Sequence, residues 1–139
     1  MALHVDDLKS LANSKVADAT LLFLHRRYSN SYYLFGYGLE CGLKAIIAKG
    51  FLAGVIPDKT YVSNVYTHRL EELVKLAGLQ EGLSAQRQNN PVFDRNWVTV
   101  ADWSEAKRYE FVDEFTATAM AEAMKDDTDG VFGWLKSNW

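Results

Sequence analysis

The sequence predicts an all-α protein, an antiparallel bundle of about four or five helices. Three observations carry that reading. Apolar residues recur at helical spacing through most of the chain, both prolines fall in segments that read as loops, and no stretch reads convincingly as a strand. A chain of 139 residues also has the usual size of one domain, so residues 1–139 are expected to fold as a single unit.

Pro57 and Pro91 divide the chain into three blocks. In the first, Leu8, Leu11 and Ala12 begin an apolar stripe, and Val16, Ala19, Thr20, Phe23 and Leu24 form a second one at helical spacing. Ser29, Asn30 and Ser31 are expected to break the chain and cap a new helix. From Tyr32 to Lys49 the pattern is helical again, with Leu39, Leu43, Ile46 and Ile47 on one face and Gly50 as terminator. Gly36, Gly38 and Gly42 lie inside that helix, where each costs about 1 kcal/mol relative to alanine. Close approach of another helix is the simplest reason to accept them, so a tightly crossed central hairpin is expected.

In the second block Gly54, Pro57 and Asp58 mark a loop. Thr67 is expected to cap a helix with Leu70, Leu73, Val74 and Ala77 as its buried stripe, ended by Gly78. The polar run from Ser84 to Asn90 reads as a short helix or an exposed loop. The third block carries Trp97 and Trp103, then a helix expected from about Ser104 to Met124 with Phe111, Phe115, Ala119 and Met120 recurring about once per turn. Asp126 to Gly130 break it, and Val131, Trp134 and Leu135 form a short amphipathic end.

Composition excludes several function classes. The net charge of −3 gives no global basic field, so nucleic-acid contact would need a local patch. Cys41 is the single cysteine, which excludes an internal disulfide and suits a reducing, cytoplasmic setting. Asp6, Asp7 and Lys9 argue against reading Met1 to Leu11 as a secretory leader, and no stretch stays apolar long enough to span a membrane. One cysteine and three scattered histidines give no zinc spacing, and no glycine-rich phosphate loop or nucleophile elbow occurs. Asp126, Asp127 and Asp129 have the flavour of a calcium loop but lack its bidentate glutamate. Neither a cofactor nor a metal is therefore expected.

Three local patterns, taken in order, resemble HEPN (higher eukaryotes and prokaryotes nucleotide-binding) domains. Ser31-Tyr32-Tyr33-Leu34-Phe35-Gly36-Tyr37-Gly38-Leu39-Glu40, continued by Leu43-Lys44-Ala45, is similar to the family's central helix. Thr67-His68-Arg69-Leu70 with Leu73 is similar to its threonine-histidine-x-leucine helix start. Trp103 followed by Arg108-Tyr109 resembles the arginine-tyrosine pair before its last long helix. The resemblance implies a HEPN-like bundle, usually a homodimer, often encoded beside a minimal nucleotidyltransferase partner, in toxin-antitoxin or defence-type systems. Many members are metal-independent ribonucleases using an arginine, four to six residues, then a histidine. That motif is missing here. Tyr61 to Thr67 hold no arginine ahead of His68, Asp113, Glu114 and Phe115 fill the positions after Arg108, and Arg26 and Arg27 follow His25.

Tyr33, Tyr37, Glu40 and Lys44 fall at i, i+4, i+7 and i+11, hence on one helix face. The plain account of Glu40 and Lys44, which we prefer from sequence, is an ion pair worth about 0.2–0.5 kcal/mol. The functional account places both in a polar pocket with His68 and Arg108. His68 has the chemistry of a general acid or base, although its place after an expected cap argues for local hydrogen bonding. His25, Arg26 and Arg27, with Tyr28, Tyr32, Tyr33 and Arg69, could form an aromatic-basic surface for nucleotides or RNA, although a solvated helix end is the plainer reading. Tyr109 joins the binding candidates through the resemblance. The preferred function is a nucleotide- or RNA-binding, or partner-docking, module without ribonuclease activity. The alternatives are a divergent metal-independent ribonuclease using His68 with Arg108 or Arg69 and Glu40, and a purely structural dimeric scaffold.

Overall fold

The computed structural model describes residues 3–139; Met1 and Ala2, the start of the amino-terminal stretch read above, lie outside them. Helices α1 (Val5–Leu24) and α2 (Tyr28–Lys49) form a long hairpin that organises the molecule. The short helices α3 (Lys59–Val65), α4 (Leu70–Leu76), α5 (Gln80–Asn89) and α6 (Pro91–Ala101) follow. A 3-10 turn (Glu105–Tyr109), α7 (Glu114–Lys125) and α8 (Val131–Lys136) complete an all-α bundle, with no strand among the described residues. The architecture is the helical bundle expected, cut into more and shorter pieces.

Helix α2 is the core helix. Phe35, Leu39 and Leu43 are fully buried and meet Ala12, Val16 and Ala19 of α1, Leu73 of α4, Met120 of α7 and Leu135 of α8 in one cluster. Burying such side chains stabilises the fold by about 1.5–3 kcal/mol for each large one. The glycines of α2 explain how so many elements reach it. A side chain at Gly38 would come within 2.8 Å of Val16 and 3.3 Å of the Ala12 carbonyl, so α1 crosses at close range there. Gly36 and Gly42 instead receive single side chains, the Trp103 indole and Leu135. The expected helix crossing therefore accounts for one glycine, and knob-like packing for two.

Several boundaries move. The hairpin turns at His25–Arg27, with Arg26 in the left-handed region at φ 60°, and not at Ser29–Ser31. Those serines lie inside α2, where their hydroxyls serve neighbouring elements. Ser31 Oγ donates to the Ala19 carbonyl at 2.7 Å, and Ser29 Oγ accepts the Val112 N–H at 2.9 Å. Thr67 is not the N-cap of α4 either; Arg69 takes that position, and Thr67 Oγ1 accepts the Arg69 N–H at 3.2 Å in a tight turn just before it.

The helix expected over Ser104–Met124 is interrupted by the 3-10 turn and an irregular stretch before α7. Asp113 restarts the helix by accepting the Thr116 N–H at 2.8 Å. Phe111 and Phe115 consequently leave the buried stripe and stand exposed, and Ala117, Met120, Ala123 and Met124 form the face that packs. Pro91 opens α6 at a position where its missing N–H costs nothing, behind Asn90 as cap. Asp58, at the end of the expected loop, likewise caps α3, a helix for which the sequence carries no expectation. Among the described residues no helix is long and apolar enough to cross a membrane.

Candidate functional site

The tyrosine–glutamate–lysine face of α2 looks toward the turn before α4 and the 3-10 turn. Glu40 is its anchor, with a side chain only 3% exposed. A carboxylate this deep needs hydrogen-bond donors, since burying an unpaired charge is prohibitively costly. Two supply them. Lys44 Nζ approaches Glu40 Oε2 at 3.3 Å from one turn further along α2. His68 Nδ1 lies 2.9 Å from Oε1 and 3.1 Å from Oε2, bridging 28 positions of sequence. A carboxylate only accepts, so Nδ1 carries the proton and the ring's orientation is set.

The other ring nitrogen faces outward onto a second carboxylate. His68 Nε2 lies 3.4 Å from Glu105 Oε2, and Arg108 Nη1 lies 2.9 Å from Glu105 Oε1. Glu40, His68, Glu105 and Arg108 thus form a continuous chain of alternating charge capacity, from the core to the surface. The guanidinium of Arg108 lies 4.7 Å from the centre of the Tyr109 ring. Hydrogen bonding by Tyr109, then the charge of Glu105 and the Tyr33 hydroxyl, raise the Arg108 pKa above its already high ordinary value. The separate ion-pair and pocket readings of Glu40 and Lys44 are therefore compatible: the i,i+4 pair exists, and it lies beside His68.

Aromatic rings frame the network. Tyr33 lies 5.7 Å from Tyr37 and 5.8 Å from Trp103 between ring centres, and Tyr37 lies 6.4 Å from the His68 ring. Burial first, then the nearby Glu40 charge, raises the Tyr37 pKa. Lys15 of α1 sits 4.9 Å over the Tyr37 ring, adding a cation that nothing in the local sequence motifs signals. Trp103 is packed onto Gly36, and its indole N–H has no acceptor among the described residues. Its ring is held by packing alone.

Outside His68 opens a cleft of about 540 Å³, bounded by Thr67, His68, Arg69 and Glu71 on one side and Trp103, Ser104 and Glu105 on the other. Arg69 is exposed along its rim. The cleft offers a cation, an imidazole and two hydroxyl-bearing side chains against two carboxylates, on an apolar floor. Such a mixture offers both donors and acceptors to a polar ligand, with Arg69 as the permanent cation of the lining.

Not every candidate gathers here. Arg26 and Arg27 are exposed at the hairpin turn, roughly 20 Å along the α2 axis from Glu40 at the usual helical rise. Tyr109 is 78% exposed and meets the network only through Arg108. Glu105 was missed by the sequence reading, although a carboxylate three positions before Arg108 in a helical segment is a recognisable pairing signal. Cys41, on the buried side of α2, packs in the core cluster, and desolvation is the chief cause that raises its pKa. No family model matches the chain, and neither a curated protein nor a solved structure does.

Proposed function

We propose that the chain is a HEPN-like module that holds a nucleotide or RNA by its phosphate in the cleft beside His68, without cutting it. The observation that carries this reading is the meeting of the three sequence patterns. The first supplies Glu40, the second His68 and the third Arg108, and they join through Glu105 into one network. A polar chain joining three segments far apart in sequence, with one end open to a cleft, supports a site for a polar ligand.

Binding is favoured over catalysis because no arginine stands four to six residues ahead of His68, so the paired motif of the family's ribonucleases is missing. The second reading, a metal-independent endoribonuclease, draws on Glu40, because a buried carboxylate behind Nδ1 is how a catalytic histidine is held in one tautomer.

A homodimer that docks a minimal nucleotidyltransferase, in a cytoplasmic toxin-antitoxin or defence-type system, completes the proposal. Exposed aromatic surface supports the dimer. Val98 and Phe115 share one shallow surface pocket, and Tyr109 and Phe111 stand exposed on the segment between their helices.

The test is thermal denaturation of the purified protein across a panel of nucleoside monophosphates and single-stranded RNAs. A ligand bound only by the native state raises the midpoint. An upward shift with a phosphate-bearing ligand that Arg69→Ala removes is expected. Unmoved midpoints throughout would favour a purely structural scaffold.

A further inference from the structure

The Glu105 carboxylate occupies a seat made for an anion. One of its oxygens faces His68 Nε2 at 3.4 Å, and the other faces Arg108 Nη1 at 2.9 Å. The Arg108 guanidinium and the His68 imidazole, whose Nε2 donates when the ring is protonated at both nitrogens, thus converge on one carboxylate from different elements, the 3-10 turn and the turn before α4. Arg69 lines the same cleft a residue away from His68. A phosphate monoester or diester has the same ability to bridge two donors through separate oxygens, with more charge or more acceptors to offer.

From this geometry we infer that Glu105 is an internal stand-in for the ligand's phosphate, and that a phosphate-bearing ligand binds by displacing it. The inference rests on the binding reading given above and adds a regulatory element to it. The displaced carboxylate sits on a short 3-10 turn, whose remaining side-chain ties near the site are the Arg108–Tyr109 stack and the neighbouring Lys107–Glu110 pair. Glu105 is 31% exposed and Arg108 46% exposed, so the contact being exchanged is a partly hydrated one. Such contacts are weak enough for a ligand to replace. Glu105 therefore sets a threshold: it keeps His68 and Arg108 paired when the cleft is empty and weakens every anion by the same competition.

The experiment is isothermal titration of the wild-type chain, Glu105→Gln, and Glu81→Gln, with inorganic phosphate, adenosine 5′-monophosphate and a short single-stranded oligoribonucleotide. Circular dichroism first establishes that each variant is folded. Glu81 is exposed on α5 and lies outside the cleft, so it controls for the loss of one negative charge. Glu105→Gln is expected to bind at least one probe about tenfold more tightly than wild type, with Glu81→Gln changing affinity less than about twofold. Adding Arg108→Ala to Glu105→Gln should remove the gain. A gain with inorganic phosphate supports the seat as a site for the phosphate group itself, and a gain confined to the oligoribonucleotide supports it as a site for a chain phosphate. Equal affinities of wild type and Glu105→Gln would overturn the stand-in role and leave the binding reading intact. Equal gains in both glutamine variants would also overturn it, as a simple field effect. Absence of binding by every variant would overturn both.

Discussion

His68 Nδ1 lies 2.9 Å from Oε1 of Glu40, so a histidine in the turn before a two-turn helix is anchored on a carboxylate sealed inside the longest helix of the bundle. The contact couples the fold to the site. Glu40 is buried because α2 is covered from several sides, and its charge is satisfied only if His68 and Lys44 are in place. Packing in the core thereby dictates where the imidazole points at the surface.

Glu40→Gln should destabilise the protein by about 1–3 kcal/mol, because the amide nitrogen presents a donor where His68 or Lys44 already donates. Urea denaturation measures it directly. A midpoint equal to that of wild type would show that the buried carboxylate is dispensable to folding.

Glycine-to-alanine substitutions should split by sign. Gly36→Ala forces a methyl group into the Trp103 indole and is expected to cost about 1–3 kcal/mol. Gly82→Ala and Gly133→Ala, in α5 and α8 with nothing within 4 Å, should each stabilise by about 0.5–1 kcal/mol. Thermal midpoints moving in the same direction for Gly36 and Gly82 would contradict the packing described for α2.

Tyr32 predicts a specific alkaline transition. Burial first, then Asp102 and Glu110, push its hydroxyl from the ordinary 10.0 up to about 12. Above the ordinary value the unfolded chain loses this proton while the folded one retains it, so the unfolded state binds fewer protons and stability falls as pH rises. The contribution is fully present below about pH 10 and lost by about pH 12. Two units correspond to roughly 2–3 kcal/mol. Tyr32→Phe should flatten the slope of stability against pH over that interval, and an unchanged slope would contradict the assignment.

The exposed aromatic surface leads to a prediction about assembly. Phe111→Asp with Phe115→Asp should convert the proposed dimer to monomers while leaving the helical spectrum unchanged, since neither ring packs in the core. Sedimentation equilibrium of the two proteins reads this. A wild-type chain that is monomeric at every concentration would remove homodimerisation from the proposal.

Periodicity made the helical class legible because α1, α2 and α4 bury apolar residues at regular spacing. It failed where polar side chains act across elements. Ser29 and Ser31 have the composition of a cap, yet their hydroxyls are used by Val112 and Ala19 from other parts of the chain. Phe111 and Phe115 fit a stripe in spacing but lie at a restart that Asp113 creates, a capping signal outweighed by the apparent periodicity. The site was legible in its parts, because Tyr33, Tyr37, Glu40 and Lys44 share a face by simple helical arithmetic. That His68 and Arg108 reach that face is a tertiary fact. Glu105 links them and carries no motif of its own.

The central claim is a phosphate-binding site at His68 that does not cleave. Incubating the wild-type chain and His68→Ala with labelled single-stranded and transfer RNA, in the presence of a chelator, tests it most directly. The account predicts a retarded but intact RNA band with wild type that weakens with His68→Ala. Cleaved RNA that disappears with His68→Ala would contradict it and establish a ribonuclease with a rearranged site.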